Sequence, residues 1–108
     1  MTTPDPETSE ILTVGPLGEA LAGAKTTVLL RTPALTVLRL IVRAGQDMPS
    51  HTPPGDATIH CLEGAIDFRV GDRTRRLAAG QMLYLAAGTV HAVRGVEHAA
   101  VLVTVVSH

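Results

Sequence analysis

Residues 57–95, ATIHCLEGAIDFRVGDRTRRLAAGQMLYLAAGTVHAVRG, decide the fold. Short runs rich in Val, Ile, Leu and Thr (ATIHCL, AIDFRV, RTRRLA, MLYLA, VHAVR) alternate with single glycines. Strands of this length, without room for ten-residue helices between them, predict an antiparallel sandwich or barrel. Gly71-Asp72, between AIDFRV and RTRRLA, predicts a tight hairpin. The texture extends in both directions, to KTTVLLR and ALTVLRLIVR upstream and HAAVLVTVV downstream. Glycines 45, 55, 64, 71, 80, 88 and 95 punctuate it throughout. The barrel domain is therefore placed at residues 25–108.

Upstream the composition changes. Residues 1–10 hold prolines, threonines and acids with nothing apolar after Met1, and read as a mobile tail. Residues 11–24, ILTVGPLGEALAGA, are apolar but broken by Gly15, Pro16, Gly18 and Gly23. They read as a loop-rich arm that packs on the barrel or crosses to a second subunit, so residues 1–24 form tail and arm. The glycine spacing there lacks the Gly-Lys-Ser/Thr ending of a phosphate loop.

The 108 residues fit one domain, and 45% hydrophobic with 18% charged residues is a globular composition. Nine basic against ten acidic residues provide no field for binding nucleic acid. Phe68 and Tyr84, the only aromatics, make no base-stacking platform. The lone Cys61 excludes an internal disulfide, and the N-terminus has no signal-peptide pattern. No apolar run approaches the ~18 residues of a membrane helix. A cytoplasmic protein that contacts neither nucleic acid nor membrane is expected.

Two histidines stand at the ends of the pattern. Gly45-Gln-Asp-Met-Pro-Ser-His51, with Leu62-Glu63-Gly64 downstream, resembles the first motif of the cupin superfamily, G-x5-H-x-H-x3-4-E-x6-G. Gly80-Gln-Met-Leu-Tyr-Leu-Ala-Ala-Gly88-Thr-Val-His91 resembles the second, G-x5-P-x-G-x2-H-x3-N. The resemblance spans about residues 35–106 and implies an all-β fold: a small antiparallel β-barrel, or double-sheet jelly roll, with an N-terminal arm. It also implies a homodimer and a divalent metal held by three histidines and a glutamate. Only His51 and His91 keep that chemistry. Pro53 stands at the second histidine position, Ala57 (or Thr58) at the glutamate, Ala86 at the proline and Gly95 at the asparagine.

Two imidazoles alone would hold zinc, iron, nickel, copper or manganese weakly, and no cofactor at all fits equally well. Strand alternation puts Ala57, Ile59 and Cys61 on the inward face and His60 on the other, so His60 is not expected to ligate. Cys61 lies roughly 13 Å from position 57 at strand rise. It reads as a small buried hydrophobe. Asp56 would reach the site only through a bulge. The bland alternatives are a surface loop position for His51 and a satisfied core position for His91. His60, His98 and His108 read as surface or interface residues. Met82 and Tyr84 share a face and are expected to line core or pocket. Arg73, Arg75 and Arg76 read as a solvated strand edge.

Ile59, Cys61, Phe68, His51 and His91 are thus the expected lining of a small-molecule pocket, with the two imidazoles within about 6 Å of each other. Three functional readings compete. The first is a small-molecule-binding domain without catalysis, or with a weak two-histidine site. The second is a metal-dependent dioxygenase or isomerase acting on a small organic substrate. The third is metal-free acid–base catalysis by His51 and His91.

Overall fold

The computed structural model describes residues 8–107. The tail reading of residues 1–7 and the placement of His108 lie outside them. Nine strands follow a single 3-10 turn at Gly18–Gly23: β1 Thr27–Arg31, β2 Leu35–Val42, β3 Asp47–His51, β4 Ala57–Glu63, β5 Ala65–Val70, β6 Arg73–Ala78, β7 Met82–Leu85, β8 His91–Gly95 and β9 Ala99–Val106. They form two antiparallel sheets, ordered β1-β2-β9-β4-β7 and β3-β8-β5-β6. The expected double-sheet architecture is observed.

β2 and β9 pair over their full length, from Leu35↔Val106 to Val42↔Ala99. Their alternation sends Leu40, Val42, Val101, Val103 and Val105 to the core. Val42, Cys61, Ile66 and Val101 are fully enclosed. Burying an aliphatic side chain of this size contributes roughly 1.5–3 kcal/mol relative to leaving it in water. The β5–β6 hairpin turns on Gly71-Asp72, with Val70 opposite Arg73 and Gly71 at φ 61°. A side chain on Gly71 would strain that turn. β6 is the edge of its sheet, and its arginines face water, as alternating charge predicts.

β3 has no counterpart among the strand-like runs of the sequence. DMPSH contains a proline and no β-branched residue, so propensity argues against a strand. It forms because β8 offers a partner and Pro49 falls at an irregularity. Met48 pairs with Val93 and His51 with His91, so three steps on β3 match two on β8.

The arm lies on its own barrel. The Glu63 carboxylate accepts from the backbone N–H groups of Leu17 and Gly18. Arg39 donates to the Val14 carbonyl, and Arg43 to the carbonyls of Leu21 and Ala24. Leu12, Val14, Leu17 and Leu21 are half-buried, whereas Ile11 stays 93% exposed. Met82 and Tyr84 line neither core nor pocket, contrary to the sequence reading. They sit on the outer face of β7 at 62% and 67% exposure, because Leu83 and Leu85 take its inner face. No helix among the described residues is long and apolar enough to cross a membrane.

Candidate functional site

Between the sheets lies a cavity of about 480 Å3, a size suited to a small ligand. Its walls are largely aliphatic, with Leu38, Leu40, Ile59, Leu85, Val93 and Val103 among them. His51 and His91 enter from the four-stranded sheet.

The backbone irregularity explains how both histidines reach it. On a regular strand, side chains three residues apart point to opposite faces. Met48 and His51 both line the cavity. The extra residue in β3 turns His51 inward, and Pro49, with no N–H to lose from the ladder, lies in that step. His51 and His91 then become direct cross-strand partners, with ring centroids 4.2 Å apart and planes tilted by 58°. The expected convergence is present.

A backbone carbonyl sets the tautomer of His91. Nδ1 of His91 lies 3.0 Å from the Thr89 oxygen, and Nδ1 of His51 lies 3.4 Å from that of Pro49. A carbonyl only accepts, so Nδ1 of His91 carries the proton and its neutral ring keeps the lone pair on Nε2. His91 is 5% exposed and stacks on Phe68, with centroids 5.2 Å apart and planes within 10°. Burial pushes its pKa below the usual imidazole value. The Thr89 carbonyl opposes that shift, and the adjacent His51 adds to it. His91 is therefore a neutral imidazole at pH 7. His51 is exposed at the mouth.

The other expected residues divide. Ile59 and Phe68 line the cavity, together with Ala57 and Pro53. Cys61 does not, which corrects the expected lining. It shares the inward face of β4 but sits deeper, fully enclosed, where its thiol donates to the carbonyls of Glu63 and Gly64. Burial raises the thiol pKa and the nearby Glu97 carboxylate adds to that, against a smaller lowering from a backbone hydrogen bond at Glu63, so Cys61 stays protonated. His60 lies on the opposite face of β4, outside the lining. Asp56 accepts from the Ala87 N–H at 3.0 Å and ties the Pro53–Pro54 loop to the β7–β8 turn rather than entering the site.

Sequence reasoning missed the polar side chains on the far wall: Thr26, Arg31, Thr36 and Ser107. Thr26 immediately precedes β1, Arg31 ends it, Thr36 belongs to β2 and Ser107 follows β9. Their approach to the histidines depends on how the sheets stack, which no local pattern encodes.

A cupin-domain family model matches residues 38–107, and the chain belongs to that family. No curated protein sequence matches the chain. A conserved protein of unknown function from Streptococcus pyogenes is 25% identical, with 100% of this chain and 96% of that one covered at a TM-score of 0.73. An RmlC-like cupin with a double-stranded β-helix fold from Methanocaldococcus jannaschii is 13% identical, with 95% and 94% covered at 0.76. A DMSP lyase from Ruegeria pomeroyi is 21% identical, with 77% of this chain and 46% of that one covered at 0.68. The latter two likenesses concern the fold alone.

The divalent metal that the resemblance implies does not fit the donors present. Pro53 and Ala57 line the cavity where a histidine and a glutamate would stand. Among the described residues, no group of three or more His, Cys, Asp or Glu side chains is placed to hold an ion. Gly95, at the asparagine position of the second motif, has no room for a side chain. A Cβ there would run into the Arg43 carbonyl.

Proposed function

We propose that this cupin domain binds a small, largely apolar molecule between its sheets, with His51 and His91 as polar anchors. The supporting observation is the cavity of about 480 Å3, whose largely aliphatic walls leave two adjacent imidazoles for hydrogen bonding. Aliphatic walls favour burying an apolar body, and a neutral Nε2 accepts a hydrogen bond that fixes its orientation. Any transition metal is held loosely, through two imidazoles only.

The lowered pKa of His91 beside a solvent-exposed His51 favours acid–base chemistry as the second reading. A buried neutral imidazole with a free ring nitrogen is a competent base.

The test uses 4-phenylbutan-1-ol as a neutral apolar probe, followed by NMR of the histidine ring protons. Saturable shifts of His51 and His91 are expected, and Ala57→Phe, which fills the lining beside them, is expected to abolish them. Failure of both this alcohol and the matching acid, 4-phenylbutanoate, to shift either ring overturns the binding reading.

A further inference from the structure

Arg31 is the only lysine, arginine, aspartate or glutamate among the residues lining the cavity. It ends β1 directly opposite Thr36 of β2, which in turn pairs with Val105 of β9, and Ser107 follows two residues beyond. The guanidinium, the Thr36 hydroxyl and Ser107 therefore share one end of the five-stranded sheet. That end is also the Pro53–Pro54 end of the cavity, because Ala57 pairs with the same Val105.

Arg31 has no carboxylate partner among the described residues. The ion pairs there are Arg76–Asp67 and Arg94–Asp47, both elsewhere on the surface. Arg39 and Arg43, by contrast, donate to arm carbonyls. Arg31 is thus an exposed fork of N–H donors at the rim of an apolar cavity, beside two hydroxyl-bearing side chains. Guanidinium geometry matches a carboxylate in a bidentate pair. A neutral ligand would leave this fork in water without using it.

We infer that the ligand of this cavity is a small organic monocarboxylate with an apolar body, its carboxylate held by Arg31 at the rim. This inference rests on the binding reading above and adds the chemical class. The body lies against Leu38, Leu40, Ile59 and Val103, and the histidine pair meets its remaining polar group. Because Arg31 is exposed, solvent and salt screen the pair, and its contribution is modest.

The experiment compares 4-phenylbutanoate with 4-phenylbutan-1-ol, by calorimetry and by the histidine ring shifts, on wild type, Arg31→Gln and Arg76→Gln. Wild type is expected to bind the carboxylate about fivefold more tightly than the alcohol, an advantage that shrinks as salt is raised. Arg31→Gln is expected to erase that advantage while leaving alcohol affinity unchanged. Arg76→Gln, a surface control, is expected to keep it. Equal binding of the two probes by wild type, or an unchanged preference in Arg31→Gln, overturns the inference and leaves the cavity reading standing. Failure of both probes overturns the two together. Circular dichroism of each variant guards against misfolding, and Arg31→Lys, which keeps charge without the fork, is expected to retain only part of the preference.

Discussion

The two ends of this barrel are built on opposite principles. At one end Val42, Cys61, Ala99 and Val101 are sealed from water. Backbone hydrogen bonds stitch the loops there: Gly45 donates to the Gly95 carbonyl at 2.8 Å, Gly95 to that of Gln46 at 2.9 Å, and Gly80 to that of Cys61 at 2.8 Å. At the other end His51 is exposed, the Pro53–Pro54 loop forms the rim, and a cavity remains where side chains could have met. Protein interiors pack at nearly crystalline density, so a cavity of about 480 Å3 forgoes packing contacts. The sealed end supplies stability that the open end does not. That division lets the rim carry polar groups without unfolding the chain.

The largest expected effect tests the sealed end. Gly95→Asn restores the residue of the second motif but drives a side chain into the Arg43 carbonyl, at a cost of about 3 kcal/mol in urea denaturation. A change that left stability intact would show that the sealed end has slack.

Next comes the open end. Pro53→His with Ala57→Glu returns the missing donors to the cavity wall, and zinc affinity by calorimetry is expected to rise by roughly a hundredfold or more. Chelator-resistant, stoichiometric metal in the wild-type protein would instead reveal a donor outside the two-histidine set.

A pH titration of stability probes the boundary between the two ends. The folded-state pKa of His91 lies below the unfolded value of 6.5, chiefly through burial. The unfolded chain therefore binds more protons in the interval between those two values. Its contribution to stability is full above pH 6.5 and is lost as pH falls toward the lowered folded value. His91→Gln is expected to flatten that part of the profile, and an unchanged slope would assign the loss to other groups.

The smallest effect is expected on the outer face. Met82→Ser with Tyr84→Ser should cost less than about 0.5 kcal/mol, since both side chains already face water. Light scattering of that variant beside wild type tests the expected homodimer: loss of dimer mass would assign its contact to this face.

How far the sequence reaches is clearest along β4. Alternation alone puts Ala57, Ile59 and Cys61 on one face and His60 on the other, and the structure agrees. Alternation is silent on depth. Cys61 shares a face with Ile59 but lies beyond the end of the cavity, enclosed and bonded to the Glu63 and Gly64 carbonyls. On β7 the pattern MLYL offers two apolar faces. Only the position of the opposing sheet selects Leu83 and Leu85 for the inside, over Met82 and Tyr84.

By itself the sequence determined the all-β architecture, the Gly71-Asp72 hairpin, the register of the two motifs and the replacement of two motif ligands by Pro53 and Ala57. Each follows from local chemistry: side-chain period, the conformational freedom of glycine, and which residues carry donor atoms. The tertiary structure alone decided the strand at Asp47–His51, the irregularity that turns His51 toward His91, and the arrival of Arg31, Thr36 and Ser107 on the far wall. Those features arise from pairing and stacking between segments distant in the chain. Their geometry is set by partners that no single stretch of sequence contains.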